Sequence, residues 1–155
     1  MLEILTKLAP LDRVSRVVDP DTFVAAPGIW GAIQSDGSIA NCDAASVKYI
    51  HKLVISSASS NQYESHDISV GRITTLESLG VRCKVDSEGY AGTIAQGDLL
   101  MVSYNTTGTS TIGKLRSTTE IGHATGDHEI VARAEEVGTD YLIYKTISPY
   151  KATIS

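Results

Sequence analysis

Clustered basic residues, long apolar runs and cysteines are what this sequence has least of. Of its 155 residues, 13 are Lys or Arg against 18 Asp or Glu, a formal net charge of -5. The basic residues are scattered, whereas a phosphate backbone is gripped by clustered Lys and Arg. Nucleic acid is therefore not an expected partner. No apolar run approaches the roughly 20 residues of a membrane-crossing helix, so no membrane partner is expected either. The opening Met1-Leu2-Glu3-Ile4-Leu5-Thr6-Lys7 lacks the basic start and long apolar stretch of a signal peptide. The expected compartment is cytoplasm-like. The two cysteines, Cys42 and Cys83, stand outside any C-x-x-C pair, which removes the simplest zinc and thioredoxin-like patterns. In a reducing compartment two free thiols are expected rather than a disulfide.

What the sequence does contain is Ser, Thr, Gly, Val and Ile in short alternating runs, a β signature. The chain is long enough for one self-sufficient core. Asp36-Gly37, set between Ile29-Trp30-Gly31-Ala32-Ile33 and Ile39, is a hairpin signal. In Val81-Arg82-Cys83-Lys84-Val85, alternation puts Val81, Cys83 and Val85 on one face, with Cys83 a buried, inert thiol. Further strands are expected within 67–76 and at 81–86, with a turn at Asp86-Ser87-Glu88-Gly89. Residues 47–57 fit a strand or a helix capped by Asp43; the β-branched Val54-Ile55 favours a strand. Leu99-Leu100-Met101-Val102-Ser103-Tyr104 is apolar on both faces, as in a strand buried on each side, or covered by core on one side and by a neighbouring subunit on the other. A closing hairpin is expected from 129–137 through Gly138-Thr139-Asp140 to 141–147, with Ile130, Ala132 and Ala134 sharing a face. Short strands punctuated by turns predict a mostly β fold, a small barrel or sandwich. Residues 1–25, broken by Pro10 and Asp19-Pro20-Asp21, are expected as an N-terminal arm or extended segment, extended or loosely helical. Residues 26–155 are expected as one β-rich domain. Polar loops are expected at 56–66 and 105–110.

Catalytic patterns are missing. His123 and His128 share Gly122-His123-Ala124-Thr125-Gly126-Asp127-His128-Glu129, but a spacing of five matches no metal motif, and a solvated turn is the simpler reading. Gly108-Thr109-Ser110-Thr111-Ile112-Gly113 has one residue too many for a nucleophile elbow, and no helix follows it. No phosphate-cradling glycine motif occurs. Gly97-Asp98 reads as a turn whose aspartate bonds nearby backbone N–H groups. Glu135 and Glu136 are adjacent, so in a strand they face opposite ways. No catalytic residue, metal ligand or cofactor is assigned, and the chain is read as a non-enzyme.

The candidate functional residues are therefore interface residues. Leu2, Leu5 and Leu8 can form a short apolar stripe in the opening segment. Tyr63, Tyr90 and Tyr150 fall in loops or near the end, and tyrosine is common at interfaces. Trp30 is more naturally core, yet it is also a candidate anchor.

Four stretches together resemble the small head-decoration, or cement, proteins of tailed bacteriophages. They are Ala26-Pro27-Gly28-Ile29-Trp30-Gly31-Ala32-Ile33 with its Asp36-Gly37 turn, Gly71-Arg72-Ile73-Thr74-Thr75-Leu76-Glu77, Gly97-Asp98-Leu99-Leu100, and the run from Asp127-His128-Glu129-Ile130-Val131-Ala132-Arg133-Ala134 to Tyr144-Lys145-Thr146. The resemblance implies a β body, often a homotrimer, seated on the outer surface of an icosahedral capsid. It further implies binding across the seams between major capsid protein subunits. Other phage parts (tail, baseplate or connector) share this β-rich texture. A small β-barrel enzyme, or a sugar- or metal-binding module using His123 and His128, is the expectation from a different class.

Overall fold

The computed structural model describes residues 1–6, 11–18, 26–42, 50–58, 72–103, 112–120 and 126–154. Leu8, Tyr63, His66, His123, the 105–110 loop, Asp43 and the first part, 47–49, of the ambiguous stretch 47–57 lie outside them. Every regular element among the described residues is a strand. In chain order they are β1 (Leu2–Ile4), β2 (Arg13–Val17), β3 (Trp30–Ile33), β4 (Ile39–Ala40), β5 (His51–Ala58) and β6 (Arg72–Leu76). Then come β7 (Arg82–Asp86), β8 (Leu99–Val102), β9 (Leu115–Ser117), β10 (Gly126–Val137) and β11 (Tyr141–Ile154).

They form two antiparallel sheets, the mostly β architecture that the residue pattern predicts. One has the order β1-β7-β11-β10-β8-β9 and the other β2-β6-β5-β3-β4. Both curl. In the five-stranded sheet a parallel bridge joins Val18, just after β2, to Ile39 of β4, bringing the two outer strands together. Val18, Ile39, Val54 and Ile73 fill the space so enclosed. In the six-stranded sheet the residues after β7 return to the far edge. There Ala91 donates its N–H to Leu115 and Leu115 donates to Gly89, at 2.9 and 3.0 Å.

The main core lies between the sheets. Val81, Cys83 and Val85 of the β7 region meet Leu142 and Tyr144 of β11, Leu100 and Val102 of β8, and Trp30, Leu53 and Leu76 from the other sheet. The alternation read at 81–85 holds: those three are at most 2% exposed, with Arg82 and Lys84 turned outward. Both cysteines are free and buried. Burial pushes the Cys83 thiol up to about 12, against a smaller opposing effect of its hydrogen bond to Tyr144. A thiolate is the reactive form. Native protein at pH 8 is therefore expected to leave Cys83 unlabelled by a thiol reagent, while denatured protein titrates two thiols. A native thiol count of two at the denatured rate refutes this.

The Asp36-Gly37 hairpin forms as expected. Gly37 takes φ +85°, and the Asp36 carboxylate accepts from the Ser38 N–H and hydroxyl at 2.9 and 2.7 Å. A left-handed residue at this point is nearly free only for glycine. The closing hairpin also forms and runs further than expected, pairing Gly126 with Ile154 and Val137 with Leu142.

Two expectations are corrected. First, the described parts of the opening segment do not form a detached arm. Leu2–Ile4 pairs with β7 from Leu2↔Val85 to Ile4↔Cys83, and Arg13–Val17 pairs with β6 from Arg13↔Leu76 to Val17↔Arg72. Each covers a sheet edge whose backbone groups otherwise need partners. Second, Ile130 does not share a face with Ala132 and Ala134. Against β8 a register shift between Ile130 and Ala132 leaves Val131 as an extra residue, and one extra residue reverses the side-chain alternation. Ile130 packs with Met101 on the outer side, while Val131, Ala132 and Ala134 enter the main core. The two apolar faces of β8 are thus both covered within this chain. In β5 a register shift lies between Val54 and Ser56, yet the side chains alternate, with Ile55 packed against the same core as Leu53. Leu53 faces the main core and Val54, its neighbour, the interior of the curled sheet.

Candidate functional site

Among the described residues, hydrogen bonds join the sheets at Trp30 and at His51. At the first, the backbone of Gly113 lies across Trp30, whose N–H donates to the Gly113 carbonyl at 2.8 Å. At the second, β10 meets the start of β5. Here the Glu129 carboxylate, on a side chain only 3% exposed, accepts from the His51 backbone N–H at 3.0 Å and approaches His51 Nδ1 at 3.5 Å. Its other oxygen is 3.0 Å from Lys151 Nζ. Lys151 stands directly opposite Glu129 in the β10–β11 register, where opposite charges attract across strands.

Burial alone would raise the pKa of Glu129. The His51 imidazole and backbone N–H, followed by the Lys151 ammonium, outweigh it and hold the carboxyl below its ordinary value. A carboxylate with both oxygens engaged in this way acts as a tie between the sheets. The Glu77 carboxylate is a second such tie on the five-stranded sheet. It accepts from Lys52 at 2.7 Å, Arg16 at 3.0 Å and the Thr75 hydroxyl at 3.0 Å. Asp98 accepts from the Ala95 N–H at 2.9 Å and the Ser117 hydroxyl at 2.6 Å, the turn-forming role expected of it. Glu135 pairs with Arg82 and Glu136 with the Tyr141 hydroxyl.

Next to the His51 tie a cleft of about 300 Å³, counted out to its open mouth, enters between the sheets. Its inner wall is made by Trp30, Leu53, Leu76 and Val131, with His51 among them. Leu79, 57% exposed, and the exposed Pro149 stand at the mouth. The β6–β7 turn is held here by backbone and side-chain bonds. Gly80 donates to the Thr146 carbonyl at 2.8 Å, and Val81 to the Thr146 hydroxyl at 3.0 Å.

Among the residues singled out from the sequence, Tyr150 is 44% exposed, near the end of the long hairpin. Trp30 is 4% exposed and belongs to the main core, so on this chain it is packing rather than a surface anchor. Leu2 and Tyr90 are partly buried against the same core, and Leu5 is partly buried, its N–H donating to the Arg82 carbonyl at 2.8 Å. These positions are not brought together into one patch. His128 is 1% exposed, on β10. Among the described residues no group of three or more His, Cys, Asp or Glu side chains is placed to hold a metal ion.

The His51–Glu129 contact was not legible in the sequence, because its partners are 78 residues apart and neither sits in a motif. The exposed Ile50 and Leu79, at 56% and 57%, also escaped notice. Their only sequence signal is an apolar residue beside a turn. No protein-family model, curated protein or solved structure matches the chain.

Proposed function

We propose that this protein is a structural virion component. It binds the outer surface of an icosahedral phage capsid and stabilises contacts between major capsid subunits, as a homotrimer. The observation that carries the assembly reading is the contrast between its ionisable and apolar groups. The buried carboxylate Glu129 and the half-buried Glu77 are saturated by cross-strand partners, while Ile50, Leu79 and Tyr150 stay exposed. Exposed tyrosine and large aliphatic side chains are suited to protein contacts. The capsid as partner comes from the sequence resemblance. A protein that binds the assembled shell and not dispersed subunits stabilises the shell by mass action, and many copies on a lattice gain by multivalency.

The test is to add the purified protein to undecorated shells of the phage whose genome encodes it, then image the particles by electron microscopy. Density on the shell surface at three-fold positions, with a raised shell melting temperature, is the expected result. Density confined to tail or connector overturns the capsid assignment, and an unchanged shell melting temperature overturns the stabilising role. Tyr150→Ala is expected to weaken shell attachment about tenfold, as loss of one aromatic contact does, while leaving the unfolding midpoint unchanged. Light scattering tests the trimer directly.

A further inference from the structure

We propose that Arg82, Lys145 and Arg133, three cations in one row across the outward face of the six-stranded sheet, form a docking strip for carboxylate side chains on the surface of a partner protein. The strip deepens the attachment reading above and rests on it.

Strand register places the row. Arg82 of β7 stands directly opposite Lys145 of β11, and Lys145 directly opposite Arg133 of β10. Directly opposite residues share a face, with Cβ atoms about 5 Å apart. All three are exposed, while their chain neighbours Cys83, Tyr144 and Ala132 point the other way into the main core. The three are scattered along the sequence, and antiparallel pairing alone gathers them. Like charges directly opposite one another destabilise a sheet. Among the described residues one carboxylate reaches the row, that of Glu135, which pairs with Arg82. Lys145 and Arg133 make no ion pair or hydrogen bond through their side chains. In a chain of net charge -5, this row keeps two cations uncompensated.

The flanks define the occupant. The row ends on apolar side chains. Leu5 continues the β1 register opposite Arg82, its N–H donating to the Arg82 carbonyl at 2.8 Å, and Leu99 stands opposite Arg133. The neighbouring row, Glu3, Lys84, Ile143 and Glu136, mixes the signs. Positive charge is therefore confined to a strip one row wide. A phosphate backbone is met by many cations along its length, and here it would run onto Glu3, Glu136 and the two leucines. Protein carboxylates set among apolar side chains match the strip instead. The exposed Tyr150 extends the same surface, because it stands opposite Ile130, which packs with Met101 on this outward side. Exposed ion pairs add little affinity one by one, but a complementary field speeds and orients encounter.

The first test follows amide resonances of the full chain at low ionic strength as a peptide of alternating Glu and Ser is added. The same peptide with Gln for Glu is the control. Shifts gathered at Arg82, Arg133 and Lys145, with the Glu peptide alone and fading as salt is raised, are the expected result. An equal response to the Gln peptide, or shifts gathered elsewhere, overturns the proposal. So does duplex DNA of equal charge that moves the same resonances at lower concentration, since it assigns the row to a polyanion. On undecorated shells, Arg133→Glu combined with Lys145→Glu should slow attachment about tenfold. Arg13→Glu, exposed on the other sheet, should leave it unchanged. Attachment at the wild-type rate in the double variant overturns the docking strip. Wild-type protein that ignores shells yet answers the Glu peptide supports the strip and sinks the capsid assignment alone. Lys145→Gln removes the central repulsion, so its unfolding midpoint should hold or rise while its response to the Glu peptide weakens. A lowered midpoint would mean that Lys145 serves the fold, and would overturn the proposal.

Discussion

Replacing Glu129 with Leu is expected to lower the free energy of unfolding by about 1–3 kcal/mol, the cost of leaving a buried backbone N–H without its acceptor. The substitution leaves the His51 N–H without its acceptor and takes the counter-charge from Lys151. Glu129→Gln keeps an acceptor and should cost less than Glu129→Leu. The pH dependence has a definite sign. The Glu129 carboxyl lies below its ordinary value of 4.5 in the folded chain, with burial opposing and His51 and Lys151 prevailing. The unfolded state therefore binds the proton more readily. The stabilisation is fully present above pH 4.5 and is lost as the pH falls through the depressed folded value. Urea unfolding of the wild type and of Glu129→Leu should thus differ most near neutrality and converge in acid. A difference that is constant with pH, or under about 1 kcal/mol at pH 7, would remove Glu129 from its role as a tie between sheets.

Gly113→Ala should destabilise the protein by about 3 kcal/mol, combining the cost of a left-handed backbone at a non-glycine residue with that of a forced contact. Gly113 has φ +78°, and a methyl group there would stand 2.5 Å from the Trp30 carbonyl oxygen and 2.6 Å from Ile29 Cγ2. The first obstacle is backbone, so it cannot swing aside as a side-chain tip can. The Trp30-to-Gly113 hydrogen bond at 2.8 Å would be pushed apart, and with it a joint between the sheets. Gly97→Ala is the matched control. It has φ +89° but nothing within 4 Å of the added carbon, so it reports the conformational cost alone. Equal losses in the two variants, by thermal or urea unfolding, would mean that close approach to Trp30 contributes nothing.

The two variants mark where sequence reasoning reaches and where it stops. The Asp36-Gly37 hairpin, the buried alternation of Val81, Cys83 and Val85, and the closing hairpin around Gly138-Thr139-Asp140 were all legible. Each depends on neighbours a few residues away: a glycine that accepts positive φ, or side chains that alternate along a strand. The two apolar faces of Leu99–Val102 were legible as well, though not which groups cover them. The bulges at Ile55, against β6, and Val131, against β8, were not, because a bulge is defined by the strand opposite. Both faces of Ile130 look alike in sequence, and only its pairing with Met101 and the extra Val131 turn it outward. The opening residues read as an arm because short strands broken by Pro10 resemble a linker. Their place as edge strands comes from β7 and β6, which present open edges to them.

The candidate site lies wholly on the far side of that line. Tyr150 was legible as an exposed aromatic and Trp30 as more naturally core, but not the second sheet that buries Trp30. The residues of this chain, taken alone, determined a β body without clustered basic charge or a recognisable catalytic motif, since those follow from composition and from periods of two. The tertiary structure alone decided that Glu129 meets His51 and that Gly113 lies over Trp30. Each is a contact between chain segments far apart in sequence, and such contacts are chosen by the packing of whole sheets rather than by any neighbourhood along the chain.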